Sequence, residues 1–483
     1  MNYIKGNKEN SLTPITSAWI KEILENKSLL DELMSTYGSP INIHHLPSFV
    51  NNIKKFQQVF KTKQVDAQLF YARKANKSKG LVKKALETGI GVDTASFKEL
   101  QQSISLGGKT DTLVLTSAIK TKEQIELAID QQIPIVLDNN DECELTQQIA
   151  QQKNAKALIA IRVSGFIVDG EKLYSRFGFD IETVKEYILQ HFVKDKTYHS
   201  LEVTGLHFHL DGYSTHQRGI ALHSCLDLVE DLKKYHLPIR FIDMGGGILM
   251  NYLEKEEEWL SFKEQLKNSV KEKKEDLTFN GTGLGYEMIN GKLEGSLKTY
   301  PYFNKINGQL FLEEVLNNRQ HNSGLENYKR ANQQQIQLRI EPGRSLLNQV
   351  GITVAKVAHR KQDAKGQWLV GLEMNMSQML SSSADFLLDP YIIYQDEIED
   401  HQEEIKVYFT GAYCLERDIL LKRAIQLPKL PAIGDTVVFV NTAGYMMHFF
   451  ETEAHLFELS TNLIYEKTLE VPQASDFIDD NLI

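Results

Sequence analysis

The stretch Ala67-Gln68-Leu69-Phe70-Tyr71-Ala72-Arg73-Lys74-Ala75-Asn76-Lys77 decides how the chain is read. Its first half is a short apolar run, the pattern of a buried strand. Its second half carries Lys74 at the point where such a strand would end. A lysine there can reach into whatever cavity the strand end faces. Burial lowers the proton affinity of a lysine and makes it a nucleophile that forms imines. Alone, Lys74 reads more readily as a surface residue just past a strand, because lysines are rarely buried. The pattern around it shifts that balance.

Similar runs recur along the chain. Strand candidates lie at 68–73, 90–94, 112–116, 133–138, 157–163, 205–210, 240–244 and 337–340. Amphipathic stretches between them, such as 80–88, 97–106, 120–131 and 181–192, read as helices. Near-continuous apolar strands separated by helices imply a parallel sheet. Eight such units predict an α/β fold, a (β/α)8 TIM barrel over residues 46–345, with function at the C-terminal ends of its strands.

The interval between the seventh and eighth strands breaks the rhythm. It spans about 90 residues, beyond the usual crossover length. It holds the charge runs Glu254-Lys255-Glu256-Glu257-Glu258 and Lys271-Glu272-Lys273-Lys274-Glu275-Asp276. Part of it reads as the seventh helix. The rest, within about 255–335, reads as an insertion on the active-site side, a lid or an oligomer contact. Its Asn280-Gly281-Thr282-Gly283-Leu284-Gly285 resembles a nucleotide loop only superficially, since no strand precedes it. After residue 345 the segments 354–358, 367–372, 405–410 and 436–441 are β-like and separated by turns. They predict a second, mostly β domain (barrel or sandwich) over 346–483. Residues 1–45 form an N-terminal extension whose Pro40-Ile41-Asn42-Ile43-His44 is a short strand able to join it.

Hydrophobic content of 42% and charged content of 24% are ordinary for a globular protein. A net charge of −10 argues against a nucleic-acid partner. Cys143, Cys225 and Cys414 lack metal-ligand spacing and cannot all pair, which suits a reducing compartment and no metal. The first residues have no apolar signal core, and no run of about 18 apolar residues marks a membrane span. The expectation is a cytoplasmic protein.

On the barrel scheme the polar residues converge. Lys74 ends strand one, Asp93 strand two and His209 strand six. Gly245-Gly246-Gly247 follows strand seven, and Glu341-Pro342-Gly343-Arg344 follows strand eight. All would share one rim, with the glycines and Arg344 where barrels commonly bind phosphate. Glycines let backbone N–H groups approach an anion, and an arginine adds a charged fork. Of His207 and His209, one is expected to face the barrel interior and the other to pack outward. Singly, a glycine triplet is a flexible turn, a strand histidine is structural, and Glu-Pro-Gly-Arg is a turn. Together, a lysine, a histidine, an acid and a phosphate nest on one rim describe a pyridoxal phosphate site.

The motifs now resemble those of the fold-type III pyridoxal-phosphate decarboxylases, the group of diaminopimelate, ornithine and arginine decarboxylases, on an alanine racemase-like barrel. They stand in family order: Tyr71-Ala72-Arg73-Lys74-Ala75-Asn76; Gly91-Val92-Asp93-Thr94-Ala95-Ser96 with Glu99-Leu100; Ser175-Arg176-Phe177-Gly178; His207-Phe208-His209; Asp243-Met244-Gly245-Gly246-Gly247; Glu341-Pro342-Gly343-Arg344; Gly411-Ala412-Tyr413-Cys414 with Asp418; and Ala443-Gly444-Tyr445. The resemblance implies that Lys74 carries the cofactor as an imine, His209 stacks on its ring and Glu341 pairs with the ring nitrogen. Gly245, Gly246, Gly247, Gly343, Arg344 and Tyr445 would bind the phosphate, and Asp93 belongs with the cofactor-binding group. Cys414 would protonate the carbanion left when carbon dioxide departs. It also implies a homodimer with shared active sites, because Cys414 and Asp418 reach the neighbouring subunit's site. A carboxylate beside the ring nitrogen keeps that nitrogen protonated and makes the cofactor a strong electron sink. Racemases of this fold place an arginine there, so Glu341 favours decarboxylation over the alternative of a racemase or epimerase. A catalytically silent regulatory paralogue is a further alternative, which the retained Lys74, His209, Arg344 and Cys414 disfavour.

The chain departs from this pattern at the substrate end. The family's diamino-acid enzymes carry an acid directly after the catalytic cysteine, where Leu415 stands here, with Glu416 one place later. Leu415, Glu416 and Asp418 are the candidate substrate contacts. Diaminopimelate decarboxylases also have an arginine where Met379-Leu380-Ser381-Ser382-Ser383 has none. The Gly-Ser that usually follows the two histidines is Leu210-Asp211-Gly212, leaving Ser214 as a replacement for a phosphate-binding hydroxyl. The expected substrate is an amino acid whose distal end is not a simple ammonium.

Overall fold

The computed structural model describes residues 3–319, 324–381, 385–397, 404–468 and 471–483, so Ser382 and Ser383 lie outside the described residues. Eight parallel strands close into a barrel: Ala67–Ala72, Gly91–Thr94, Leu113–Leu115, Ile135–Leu137, Ala157–Ser164, Leu201–His207, Phe241–Asp243 and Gln337–Ile340. The last pairs with the first and the fourth with the fifth, completing the ring. Seven strands fall within a few residues of the apolar runs. The sixth starts four residues earlier than expected and ends at His207. Glu202 interrupts its apolar pattern, and a bulge between Val203 and Gly205 shifts its register.

Local chemistry sets the helix starts on the barrel's exterior. Ser78, Ser96, Thr121, Asn139 and Ser214 each accept the backbone N–H three residues ahead. Each such cap contributes about 1 kcal/mol. Inside the barrel, Phe70, Val114, Val136, Ala160 and Phe241 form one packed layer. A Cβ on Gly91 or Gly205 would lie 2.4 Å from the Phe70 or Phe241 ring, so these strand glycines make room for the two aromatics. Two residues further along each strand, the same inward parity delivers side chains to the C-terminal rim.

The second domain is built on a ten-stranded, largely antiparallel sheet. Ile41–His45 pairs with Gly351–Gln362 on one side and runs parallel to Thr461–Tyr465 on the other. This sheet touches the Lys74 loop directly. Asn76 donates to the Ala443 carbonyl at 3.0 Å, the Tyr445 N–H donates to the Ala75 carbonyl at 2.9 Å, and the Lys77 N–H donates to His448 Nδ1 at 3.1 Å.

The long interval divides in two. Gly308–Asn317 and Asn327–Gln333 pack on the barrel, burying Phe311, Leu312, Val315, Leu316 and Ala331 in its core. The segment before them leaves the seventh strand and turns toward the β domain. Its helix Glu256–Glu272 and the hairpin of Tyr286–Ile289 with Lys292–Gly295 sit there. Trp259, Phe262, Leu266, Tyr300 and Tyr302 share one core with Val370, Phe409, Leu421 and Phe439. The charge runs cover the solvated face of that helix, while Trp259, Phe262 and Leu266, at helical spacing, form its buried stripe.

Candidate active site

Arg73–Ala75 makes a single 3-10 turn directly after the first strand and carries Lys74 over the barrel mouth. Lys74 Nζ lies 3.3 Å from Asp93 Oδ2, whose side chain is fully buried. The other Asp93 oxygen accepts from the Thr116 hydroxyl. Burial alone would lower the proton affinity of Lys74, but Asp93, then Tyr445 and Glu341, raise it above its ordinary value. The depressed lysine expected from burial is therefore corrected: a part-buried ammonium beside a buried carboxylate holds its proton.

Both histidines face inward, which corrects the expectation that one packs outward. Residues two apart on an extended chain share a face. His207 Nε2 stands 3.3 Å from Glu341 Oε1, with both side chains buried. His209 lines the cavity above, and its Nδ1 accepts the Gly246 N–H at 3.3 Å. Burial keeps both rings neutral. It lowers His207 to about 4, and with the Lys74 charge it takes His209 well below its usual range.

Beneath them lie two carboxyl groups. Burial and Asp93 push Glu341 up to about 8, and burial and Glu341 push Asp243 up to about 7. The ligand atoms of His207, Asp243 and Glu341 fall within 4.8 Å of one another, a spacing a cation could use. Two carboxyls raised toward neutrality also describe a pair that shares a proton. Glu341 Oε1 and both His207 ring nitrogens have no hydrogen-bond partner among the described residues. Leaving buried polar atoms unpaired costs about 1–3 kcal/mol each, so they await a donor or acceptor from above.

Above this floor opens a cavity of about 500 Å³, lined by Lys74, His209, Gly247, Gly343, Arg344 and Tyr445. The glycine triplet is required sterically. Gly245 and Gly247 adopt φ of 64° and 76°, and a Cβ on Gly246 would lie 2.4 Å from the Glu341 carbonyl. Arg344 donates to the Gly444 carbonyl at 3.1 Å, and its guanidinium lies 4.3 Å from the centroid of the Tyr300 ring.

Several residues of the site were not anticipated. Asp211, Tyr213, Ser345 and Phe449 line the same cavity. The Ser345 hydroxyl is buried and without a partner among the described residues, whereas Ser214 caps the helix Thr215–Lys233. Arg162 points inward from the fifth strand, 3.6 Å from Asp138 and with its guanidinium 4.2 Å from the Phe177 ring. It was findable: a charge at inward parity in an apolar strand needs a partner.

The β-domain candidates lie apart from this cavity. Cys414, Leu415 and Glu416 are exposed and do not line it. Asp418 is buried, and its two oxygens accept the N–H groups of Met376 at 2.8 Å and Tyr413 at 2.7 Å. It shapes the loop that displays Cys414 and is not open to a substrate.

Comparison with known proteins agrees with this arrangement. Residues 46–287 match the family model for the pyridoxal binding domain of pyridoxal-dependent decarboxylases. An uncharacterized Sinorhizobium fredii protein, y4yA, is 26% identical over 454 residues, covering 92% of each chain. A Campylobacter jejuni diaminopimelate decarboxylase is 26% identical over 429 residues, 86% of this chain and 88% of the relative. The fold matches that of Helicobacter pylori diaminopimelate decarboxylase complexed with L-lysine, with a TM-score of 0.66 at 20% identity over 93% of this chain and 95% of that one. Among the described residues, no helix is long and apolar enough to cross a membrane. A matched family model spanning half the chain, on a closed barrel whose rim gathers a lysine, a glycine cradle and a buried acid, places the chain in the pyridoxal-dependent decarboxylase family, whose cofactor is pyridoxal phosphate.

Proposed function

We propose that the chain decarboxylates an amino acid at Cα, that its substrate is not a standard diamino acid, and that it works as a homodimer with shared active sites. The cavity fits the cofactor. Gly247, Gly343, Arg344, Tyr445 and the free Ser345 hydroxyl line it and suit the phosphate, with Gly245 and Gly246 in the turn that leads to Gly247, and Lys74 stands within reach of the same space. When bound, the cofactor supplies an electron sink for the pair released as the carboxylate leaves.

The residues of the chain do the rest. Lys74 would anchor the cofactor, with Asp93 Oδ2, 3.3 Å from Nζ, placed to take the proton that the ammonium gives up. His209, neutral and fixed by the Gly246 N–H, offers a flat face to the ring. Glu341 would pair with the ring nitrogen, and this acid carries the reading. It is buried, its carboxyl is poised at about 8, and one oxygen lacks a partner. A carboxyl that still holds its own proton near neutral pH can pass it to a neighbouring basic nitrogen, and the pair of opposite charges so formed favours the protonated ring. Cys414, exposed on its loop, is offered to a second copy of the chain, where its thiol would return a proton to Cα. Leu415 travels with it and gives the distal pocket an apolar wall in place of an acid. The three unpaired cysteines support a cytoplasmic location.

The test is carbon dioxide release by the holoenzyme across an amino-acid panel. Release from amino acids without a distal ammonium is expected. Ordinary turnover of diaminopimelate, ornithine or lysine would overturn the substrate assignment. Exchange of Cα–H with solvent deuterium and no gas would overturn the reaction.

A further inference from the structure

The segment between the seventh barrel strand and the helix Gly308–Asn317 carries aromatic residues that converge on Arg344. The Tyr300 ring lies under the guanidinium at 4.3 Å, and the Tyr252 phenol, 5.5 Å from the Tyr300 ring, stands beside it and helps it hold its proton. Tyr300 is itself pinned, its hydroxyl accepting the Met250 N–H at 2.7 Å. The stack continues away from the cavity. Tyr300 meets Tyr302 at 5.9 Å, and Tyr302 meets Trp259 at 5.9 Å inside the β-domain core. The Tyr302 hydroxyl also accepts the Leu387 N–H at 3.2 Å. One column of rings thus runs from the β-domain core to the arginine that shares a cavity with Gly247 and Gly343.

We propose that this insertion is a buttress for anion binding: Tyr300 and Tyr252 are positioning residues that hold the Arg344 guanidinium toward the phosphate end of the cavity. This rests on the cofactor reading above. An arginine carries about 2 kcal/mol of rotamer entropy, and a ring face plus a phenol oxygen removes that freedom before an anion arrives. Tyr300 and Tyr302 are among the largest fully buried side chains of the protein, so the segment's inner face is fixed in place and does not open as a lid. Tyr300 also meets the cavity-lining Tyr213 ring at 5.5 Å, and the device acts on the charge of the phosphate.

That dependence on charge supplies the test. Pyridoxal phosphate and pyridoxal, which lacks the phosphate, are titrated into wild type, Tyr300→Leu, Tyr300→Phe and Tyr252→Phe stripped of cofactor, reading the visible absorbance band. Tyr300→Leu is expected to weaken pyridoxal phosphate about tenfold and leave pyridoxal within about twofold. Tyr300→Phe keeps the ring face and should stay within about twofold for both. Tyr252→Phe, which keeps the core filled, should cost pyridoxal phosphate alone about threefold and keeps the test alive if Tyr300→Leu does not fold. Equal weakening of both ligands, or no change in either, overturns the buttress. A wild type that binds neither ligand overturns the cofactor reading itself, and the buttress with it.

Discussion

At the barrel rim, Lys74 and His209 stand over a buried floor of Asp93, His207, Asp243 and Glu341, where burial and neighbouring charges shift the proton affinity of Lys74, the two histidines, Asp243 and Glu341. On the β domain, Cys414, Leu415 and Glu416 project from a loop into solvent, and only Tyr413 and Asp418 beside them are buried. The rim gathers the proposed cofactor residues within one chain. The loop is a displayed one, stiffened from behind by the two hydrogen bonds to Asp418. The contrast teaches that cofactor chemistry and substrate selection are built from different kinds of structure here. The first depends on burial and mutual pKa control. In the proposed homodimer, the second would depend on what the loop meets in the neighbouring copy.

The sharpest way to break this division is to disable each part in turn. Lys74→Ala should lose at least about 10³-fold in carbon dioxide release together with the visible cofactor band. Cys414→Ala should keep the band while losing turnover. Mixing the two inactive proteins should restore about a quarter of wild-type activity, since half of the random dimers are mixed and each has one intact site. No recovery on mixing would show that the loop does not serve a neighbour.

A smaller effect separates the floor of the rim from its rim groups. Glu341→Gln keeps the shape and removes the acid, so turnover should fall about 10²-fold while the band persists. Its pH–rate profile should also lose the limb that this carboxyl contributes. On the displayed side, Leu415→Glu is expected to raise kcat/KM for amino acids with a distal ammonium about tenfold, one charge-assisted hydrogen bond. No gain for any diamino acid would place the distal selector elsewhere.

How much of this was legible follows the same split. The barrel and its rim could be read because strand parity and βα order are local patterns: Phe70, Ala72 and Lys74 lie in one run, as do His207 and His209. Where parity was applied wrongly, at the two histidines, the chain still carried the right answer. The proton affinity of Lys74 was not legible, because it depends on Asp93 arriving from the next strand at 3.3 Å. Neither was the contact of Tyr300 with Arg344, since no periodicity links a loop tyrosine to an arginine 44 positions on. The substitute hydroxyl shows the limit most simply. Ser214 was the nearer serine in sequence, but it caps a helix, while Ser345 has the free hydroxyl in the cavity.

The smallest expected effect tests the seam between the two regions. His44 and His448 sit in the contact between the Lys74 loop and the β sheet, bonded through Asn76 and the Lys77 N–H. Burial lowers His44 to about 4, against the pull of Asp480, and burial with His44 lowers His448 to about 3. Both values lie below the unfolded value of about 6.5. Above 6.5 the rings are neutral in both states, and stability is flat with pH. As pH falls from 6.5 toward 4 the unfolded chain takes up protons that the native seam refuses, so stability declines, by up to about 1.4 kcal/mol per pH unit for each histidine. Urea unfolding across that window should show the slope, and His448→Gln should make it shallower by about one proton's share. His44 and His45 and, from the rim, His207 and His209 contribute to the same slope, so His448→Gln removes one histidine's share and leaves theirs. A slope unchanged by His448→Gln would mean that the seam yields before its histidines charge, and that the β domain steadies the Lys74 loop less than its hydrogen bonds imply.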